Sequence, residues 1–242
     1  MPTPALAGQT VVLIGGSAGI GLETGRLARA EGADVILTGR SQERLDDAAR
    51  DIDAPRTAAF DATDPAALAG FFRDLPGPID HVLITAGGPR YGPLLEMDPA
   101  EAGLAVGDHI VLALDVARNA AGRMRPGGTL IVMGGTGGRK IGRGLGIASA
   151  ATAALPPFIA ALALELAPLR ANLIAAGFVD TPLSAMLLGD GLEARRAELR
   201  DALPIRRVVT PQDVAALAVH IMTNTALTGA TYDIDGGQQF VQ

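Results

Sequence analysis

The chain has 242 residues and a net charge of −6, which argues against a nucleic-acid partner because a phosphate backbone attracts basic proteins. It contains no cysteine, which excludes disulfides, a thiolate nucleophile and a Cys-ligated metal, and no metal site is predicted. No apolar run reaches the ~18 residues of a membrane span, and no secretory signal is recognisable, so we expect a cytoplasmic protein without a membrane partner.

Short apolar segments rich in β-branched residues alternate with Ala/Leu-rich helical segments. The predicted strands are Thr10–Ile14, Asp34–Thr38, His81–Thr85, Thr129–Met133, Ala171–Ala175 and Thr231–Ile234. The predicted helices are Ile20–Glu31, Gln42–Asp51, Pro65–Asp74, Glu101–Met124, Ala148–Leu166 and Pro211–Thr223. The pattern predicts an α/β fold: a Rossmann-like, doubly wound parallel β-sheet flanked by helices, as a single domain over residues 1–242.

Ligands of such sheets bind beyond the carboxyl ends of the strands. The candidate functional loops therefore begin near Gly15, Gly39, Asp61, Ala86, Gly134 and Gly177.

The first of these loops is glycine-rich, follows a predicted strand and opens a predicted helix. Glycines permit a tight turn and a close approach of the backbone to a pyrophosphate, and the helix N-terminus supplies free N–H groups. A dinucleotide is therefore the predicted ligand. Its candidate contacts here are Gly15, Ser17, Ala18, Gly19, Ile20 and Gly21.

The spacing of this loop, Gly-x-x-x-Gly-x-Gly, resembles that of the short-chain dehydrogenase/reductase family. Further segments of that family's pattern follow in order: Asp61, Thr85-Ala86-Gly87, Gly177–Pro182, Thr228-Gly229 and Asp235-Gly236-Gly237. Thr85 replaces the family's Asn, and Ala176 replaces a Pro. The resemblance extends over essentially the whole chain.

The resemblance implies further cofactor contacts. Asp61, with Ala62 beside it, stands where the family places an acid near the adenine, and Ala86, Gly87 and Gly88 follow the next strand. The amide of Val179 and the side chain of Thr181 match the segment that holds the nicotinamide carboxamide.

The residues after the second strand bear on the choice between NAD and NADP. An acid there would accept a hydrogen bond from a ribose 2′-hydroxyl, but this chain has Gly39, followed by Arg40 and Ser41. Arginine suits a 2′-phosphate, so NADP is favoured over NAD. Against this, Ala18 occupies a position where NADP-preferring members often carry a basic residue.

The catalytic residues of the family are missing. Family members use Asn, Ser, Tyr and Lys, in which the Lys lowers the pKa of the Tyr that transfers a proton. Counted without gaps, these positions fall on His109, Gly135, Ala148 and Thr152. No shift of register recovers the Tyr, since the two tyrosines are Tyr91 and Tyr232.

Three residues are candidates for replacement chemistry: His109, whose imidazole can exchange protons near neutral pH; Thr136, beside the Ser position; and Lys140, in the following loop. Arg139 and Arg143 add cations that could polarise a carbonyl or hold an anion. The alternatives are a structural histidine and a solvated basic loop.

Two segments near this region are unusual. Pro156-Pro157 disfavours a helix interior, and a start near Ala153 instead of Ala148 would reduce this cost, so a late start of this helix is the alternative prediction. Residues 183–207 match the family's substrate lid and begin with apolar residues. This favours a hydrophobic small-molecule substrate, although core packing explains the same pattern.

The resemblance also implies a homo-oligomer, a tetramer or dimer, formed through the helices predicted at Glu101–Met124 and Ala148–Leu166 and through the last strand. The favoured function is an atypical NADP(H)-dependent oxidoreductase acting on a carbonyl, alcohol or imine. The alternatives are a non-catalytic NADP(H)-binding protein, as redox sensor or partner subunit, and a lyase or isomerase.

Overall fold

The computed structural model describes residues 4–139 and 141–241, in which seven parallel strands form one sheet. The strands are β1 (Thr10–Ile14), β2 (Asp34–Gly39), β3 (Arg56–Ala59), β4 (Ile79–Ile84), β5 (Met124–Gly135), β6 (Arg170–Ala176) and β7 (Thr231–Ile234). Their order is β3-β2-β1-β4-β5-β6-β7, and each neighbouring pair is parallel. This confirms the predicted Rossmann-like, doubly wound sheet.

Eight α-helices lie between the strands within the same described ranges. They are α1 (Gly19–Ala30), α2 (Gln42–Ile52), α3 (Pro65–Arg73), α4 (Pro99–Ala120), α5 (Gly146–Glu165), α6 (Pro182–Leu188), α7 (Leu192–Ala202) and α8 (Pro211–Thr223). Short 3-10 helices occur at Leu94–Glu96, Ala121–Arg123, Thr136–Arg139, Gly189–Gly191 and Gln238–Phe240.

The core has two layers, one on each face of the sheet. Successive side chains of β1 point to opposite faces, so Val12 and Ile14 join one apolar cluster while Val11 and Leu13 join the other. Helices α3, α4 and α5 contribute to the first cluster, and α1, α2 and α8 to the second. Burial on both faces explains why the central strands have near-continuous apolar sequences.

All six predicted strands are present, and a seventh strand, β3, was not predicted. This strand lies at the edge of the sheet and is four residues long, with Arg56 and Ala59 exposed. None of its four residues is fully buried, so it has no apolar run. Strand β5 also begins earlier than predicted, at Met124, which pairs with Ile79 ahead of a register shift.

The prediction that the helix after β5 starts late is wrong. Helix α5 begins at Gly146 and continues through Pro156 and Pro157. Its buried residues Ala151, Leu155 and Ile159 recur every four positions and form one stripe toward the core. Continuing the helix keeps this stripe packed, and that burial outweighs the two missing backbone donors.

Helix α4 begins two residues earlier than predicted because Asp98 caps it. The Asp98 carboxylate accepts hydrogen bonds from the amides of Ala100 at 2.9 Å and Glu101 at 3.1 Å. The helix ends at Ala120 and not at Met124, which instead starts β5. The segment 183–207, for which no helices were predicted, contains α6 and α7.

The expectation that no apolar run reaches the length of a membrane span is wrong, because α5 is long and apolar enough to cross a membrane by length and composition alone. It packs on the sheet beside α4, however, with Leu155 and Ile159 fully buried in the first apolar cluster. Packing within the fold explains the apolarity of the face that carries these residues.

Arg170, at the start of β6, ties together the end of the molecule opposite the functional loops. It is 5% exposed. Its guanidinium donates to five carbonyl oxygens, those of Gly127 (3.0 Å), Ile221 (2.8 Å), Met222 (2.9 Å), Asn224 (3.3 Å) and Leu227 (3.0 Å). Because α8 ends at Thr223, the cation also lies at the negative end of that helix.

Replacing this cation should destabilise the fold. We expect Arg170→Met to lower the free energy of unfolding by about 3 kcal/mol, because several buried carbonyls lose their donors together. Urea denaturation measures the change. Arg200→Met, on the exposed face of α7, is the control and should change stability by less than about 0.5 kcal/mol. Equal stability of the two variants would contradict the role of Arg170.

Candidate functional site

The candidate functional residues lie at the carboxyl edge of the sheet. Strands β1, β2, β3, β4, β5 and β6 end at Ile14, Gly39, Ala59, Ile84, Gly135 and Ala176, immediately before or within the predicted loops. The parallel order of the strands brings these loops to one edge.

The glycine-rich loop after β1 is held against the end of β4. A Cβ placed on Gly15 would lie 2.6 Å from Thr85 Oγ1, and one on Gly21 would lie 2.4 Å from the Gly15 carbonyl oxygen. Gly15 also has a φ of 102°, which favours glycine. Thr85 Oγ1 donates to the Gly15 carbonyl at 2.9 Å. A side chain at Gly15 or Gly21 would therefore collide with neighbouring atoms of the protein, so both positions require glycine.

Helix α1 presents its N-terminus to the same loop. Its N-cap residue, Ala18, provides no side-chain hydrogen bond, and none of the other described side chains replaces it. Helices α5 and α7 also lack a side-chain cap, whereas α2, α3, α4, α6 and α8 are each capped by a side chain. The first amides of α1 therefore remain available to an anion, and the tight packing of Gly15 and Gly21 against Thr85 determines where these amides lie.

Residues from three segments converge beside this loop. A Cβ placed on Gly39 would lie 3.3 Å from Ser17 Oγ, so the Ser17 hydroxyl faces the end of β2. Arg40 is exposed, and Ser41 caps α2 by accepting from the Arg44 amide at 3.3 Å. The arrangement offers a cation and hydroxyls to a group bound at the end of β2.

Asp61 follows β3 as expected. Its carboxylate accepts hydrogen bonds from the amide and hydroxyl of Thr63 at 2.9 and 2.8 Å. These bonds lower its pKa below the ordinary aspartate value, and the positive charge of Arg40 lowers it further. The charges of Asp61 and Arg40 are therefore close enough to interact, as expected if both residues contact one ligand.

The loops after β3 and β4 each place one alanine against the apolar core. Ala62 and Ala86 are partly buried and pack against the apolar core. Gly87 has a φ of 99° and Gly88 is exposed, so the chain turns outward after Ala86. Ile20 packs on the opposite core cluster.

The segment after β6 is fixed from several sides. The Phe178 amide donates to Gln238 Oε1 at 2.7 Å, and Val179 forms an isolated parallel bridge with Val209. Thr181 caps α6 by accepting from the Ser184 amide at 3.2 Å. A Cβ placed on Gly19 would lie 3.5 Å from Thr181 Cβ. The segment therefore lies next to the glycine-rich loop, close enough for one ligand to contact both.

His109 reaches the site from α4. Its Nε2 would lie 3.5 Å from a Cβ placed on Gly87, and its buried Nδ1 has no hydrogen-bond partner among the described residues. Burial lowers the pKa of the imidazole below its ordinary value, and the nearby charge of Asp108 only partly opposes this. The ring is therefore mainly neutral at pH 7 and able to accept a proton.

The positions counted as Ser and Lys come together as Gly135 and Thr152. A Cβ placed on Gly135 would lie 3.2 Å from Thr152 Cγ2. The Thr152 hydroxyl donates to the carbonyls of Ala148 at 2.9 Å and Ser149 at 3.1 Å within its own helix. This side chain fills space beside Gly135 and directs its hydroxyl proton to the backbone of α5.

The other catalytic candidates have different surroundings. Thr136 begins a 3-10 helix and is 5% exposed. Lys140 lies outside the described residues. Arg139 donates to both carboxylate oxygens of Asp233, so its charge is paired with β7. Arg143 is exposed.

Sequence reasoning missed the contacts or surroundings of three residues near the site, Thr85, Gln238 and Ser149. Thr85 was recognised only as a replacement for Asn, yet its hydroxyl joins the glycine-rich loop to β4. Gln238 was not considered, because its bond to the segment after β6 spans 60 residues. Ser149, next to the Tyr position, has a buried hydroxyl without a partner among the described residues.

Large apolar side chains surround the mouth of the site. The loop after β4 exposes Tyr91 and Leu94, and the loop before α5 exposes Ile141. These loops are joined by a hydrogen bond from the Gly92 amide to the Gly144 carbonyl at 2.9 Å. On α6, Leu183, Met186, Leu187 and Leu188 are also exposed. Among the described residues, no group of Asp, Glu or His side chains is arranged to hold a metal ion.

Comparison with protein families gives one matching model, described as Enoyl-(Acyl carrier protein) reductase, which covers residues 15–239. Among curated proteins, the chain is 32% identical over 245 residues to "Uncharacterized oxidoreductase MT0954" of Mycobacterium tuberculosis, covering 96% of this chain and 92% of the relative. It is 27% identical over 249 residues to "Oxidoreductase UcpA" of Salmonella typhi, covering 96% and 95%.

Solved structures share the fold. The crystal structure of BdcA in complex with NADPH superimposes with a TM-score of 0.85 at 26% identity, covering 96% of this chain and 95% of BdcA. MalC Reductase/Diels-Alderase from Malbranchea aurantiaca has a TM-score of 0.90, with 98% and 99% covered, but its identity of 22% indicates the fold alone.

The close backbone approach at Gly21 gives a testable consequence. We expect Gly21→Ala to lower the free energy of unfolding by about 2 kcal/mol, since the new Cβ meets the Gly15 carbonyl. Gly103→Ala is the matched control, because a Cβ there has open space and lies within α4; it should be neutral or stabilise by about 0.5 kcal/mol. Urea denaturation of both variants measures the two changes. A Gly21→Ala protein as stable as the wild type would contradict the close packing of Gly21 against the Gly15 carbonyl.

Proposed function

Because the chain belongs to the short-chain dehydrogenase/reductase family, a family of oxidoreductases, we propose that it is an NADP(H)-dependent oxidoreductase with a non-standard active site. Its proposed substrate is a carbonyl, an alcohol or an imine. The observation that carries the proposal is the glycine-rich loop after β1, whose tight packing on Thr85 places the uncapped N-terminus of α1 at the carboxyl edge of the sheet.

The residues present fit the cofactor. Gly15, Ser17, Ala18, Gly19, Ile20 and Gly21 would hold the pyrophosphate side; Arg40, Ser41, Asp61, Ala62, Ala86, Gly87 and Gly88 the adenosine side; and Val179 and Thr181 the nicotinamide side. When bound, the nicotinamide supplies hydride transfer. The protein orients the reacting groups and keeps water away from them.

NADP is favoured over NAD by charge. Exposed Arg40 directly follows β2, with the hydroxyls of Ser17 and Ser41 nearby and no acid at Gly39. A 2′-phosphate needs a cation and hydrogen-bond donors, which this group provides. BdcA, which shares the fold at 26% identity, has been crystallised with NADPH.

His109 is the proposed proton-exchanging residue, acting at Nε2, the nitrogen that faces Gly87. In oxidation of an alcohol, neutral Nε2 would accept the hydroxyl proton; in reduction of a carbonyl, protonated Nε2 would return it. Thr136 is the candidate for orienting the substrate, and Lys140 is a candidate for polarising its carbonyl or holding an anionic group. The apparent pKa of His109 sets the pH at which each direction of the reaction is fast.

The apolar mouth supports a hydrophobic small-molecule substrate. Exposed side chains of the loops after β4 and β5 face the same edge of the sheet as those of α6, including Leu94, Ile141 and Met186. Residues 183–207 would close over such a substrate as a lid. Exclusion of water would strengthen the electrostatic interactions within the site.

A homo-oligomer, either dimer or tetramer, is also proposed. Leu104, Val111 and Leu114 are exposed and recur on one face of α4, and Leu164 is exposed on the neighbouring helix α5. Apolar faces of this kind favour helix packing between subunits. With a net charge of −6, neither a nucleic acid nor an anionic membrane surface is a proposed partner, and the proposed location is the cytoplasm.

A second candidate function is non-catalytic binding of NADP(H), as a sensor or partner subunit. The observation that favours it is the occupation of the usual catalytic positions by groups with no reactive proton aimed at the site. Ala148 carries no polar group, and the Thr152 hydroxyl donates to its own helix. Turnover distinguishes the two functions.

The first test is calorimetric titration with NADPH and NADH, followed on the same sample by absorbance at the nicotinamide band with a panel of carbonyls and cyclic imines. We expect NADPH to bind more tightly than NADH and to be oxidised by an apolar member of the panel. Binding without oxidation would favour the sensor function, and no binding of either nucleotide would refute both functions.

Arg40→Ala provides the control for cofactor choice. Loss of one charge-assisted contact to a phosphate should weaken NADPH binding about tenfold. Binding of NADH, which has no 2′-phosphate, should remain within about twofold because no contact of that strength is lost. Equal weakening of both nucleotides would contradict the assignment of Arg40 to the 2′-phosphate.

His109→Gln tests the proton transfer. The variant should lose about a hundredfold in turnover while keeping NADPH affinity, because general acid–base catalysis contributes on that order. In the wild type, burial lowers the pKa of His109. Carbonyl reduction should therefore decline as pH rises through a pKa below the ordinary histidine value, and alcohol oxidation should increase through the same pKa.

These pH profiles, measured at saturating cofactor, should flatten in the variant. An unchanged profile in His109→Gln would assign the proton transfer to another group, or to water.

A further inference from the structure

An ion pair joins the proposed lid to the segment after β6. Arg196, in the first half of α7, donates from Nη2 to Asp180 Oδ1 at 2.7 Å. Both side chains are 28% exposed, so the pair is partly shielded from solvent. Arg196 also bonds Glu193 on its own helix, which orients the guanidinium. Family resemblance gave no expectation for either member of this pair.

Asp180 stands between the two residues proposed to hold the nicotinamide. Val179 precedes it and pairs with Val209, while Thr181 follows it and caps α6. The Asp180 amide donates to the Val209 carbonyl at 3.0 Å, which fixes the backbone at this point. A contact made by the Asp180 carboxylate is therefore located between the two residues proposed to hold the nicotinamide.

Helix α7 is itself anchored at its far end. Leu199 and Leu203 are buried, and Cβ atoms placed on Gly236 and Gly237 would collide with Ile205 and Pro204. The chain after α7 thus packs tightly against the C-terminal turn. Among the described residues, the hydrogen bond from Arg196 to Asp180 is the one that joins a side chain of α7 to the segment after β6.

We infer that Asp180 and Arg196 are positioning residues that couple the lid helix α7 to the nicotinamide-binding segment. This inference rests on the proposed function. With the pair formed, α7 holds Val179 and Thr181 in the geometry that the cofactor needs. By thermodynamic reciprocity, bound cofactor stabilises the docked position of α7 to the same extent.

The inference is tested by calorimetric titration of Arg196→Met with NADPH. We expect the Kd to rise about fivefold, the order of one partly exposed ion pair. Arg195→Met is the matched control: it removes the same charge from the same helix, but Arg195 pairs with Glu198 within α7. Its Kd should stay within about twofold of the wild type, as expected for a surface pair.

A double-mutant cycle separates the pair from its members. Asp180→Asn should raise the Kd about as much as Arg196→Met, and the double variant should be no weaker than either single variant. Additive effects of the two substitutions would overturn the inference, because they would show that the side chains act independently.

Hydrogen exchange supplies a readout that a purely structural role would not change. In the wild type, NADPH should slow amide exchange across residues 192–203. This protection should be lost in Arg196→Met and retained in Arg195→Met, with both measured at saturating NADPH. Equal protection in the two variants would overturn the inference, whereas failure of the wild type to bind NADPH would refute the proposed function itself.

Discussion

The close contact between the loop after β1 and the end of β4 is the constraint on which the site depends. Gly15 and Gly21 leave no room for a Cβ, and the Thr85 hydroxyl bonds the Gly15 carbonyl. This contact sets where α1 begins and therefore where its free amides point. The other binding segments take their positions from the same sheet edge, so a displaced loop would misalign Thr181 and Arg40 together.

Periodicity was sufficient to predict the fold class, and the strand ends that it predicted place the glycine-rich loop at the carboxyl edge of the sheet. Strands such as Thr10–Ile14 are buried on both faces and have continuous apolar sequences, whereas β3, an edge strand with Arg56 exposed, has no such pattern. Helix α5 passes through Pro156 and Pro157 because of tertiary packing that local rules do not contain. Arg170 and Gln238 act through contacts between residues distant in sequence.

The reaction side was less predictable because its chemistry depends on burial. Counting placed His109 at the site, but its lowered pKa and unpartnered Nδ1 follow from packing around α4. Arg139 has the same sequence context as a substrate-binding cation, yet it is paired with Asp233 on β7. Charge in a loop sequence indicates a candidate, and its neighbours in space determine whether that charge is available.

Gly135 and Thr152 also constrain how the site can change over evolution or in the laboratory. A Cβ at Gly135 would lie 3.2 Å from Thr152 Cγ2, which is a tight contact. Any side chain at position 135 therefore needs the Thr152 side chain to shift, and the two positions are interdependent. Variants of Gly135 should be tolerated more readily when Thr152 is first replaced by a smaller residue, so the order of substitutions matters as well as their number.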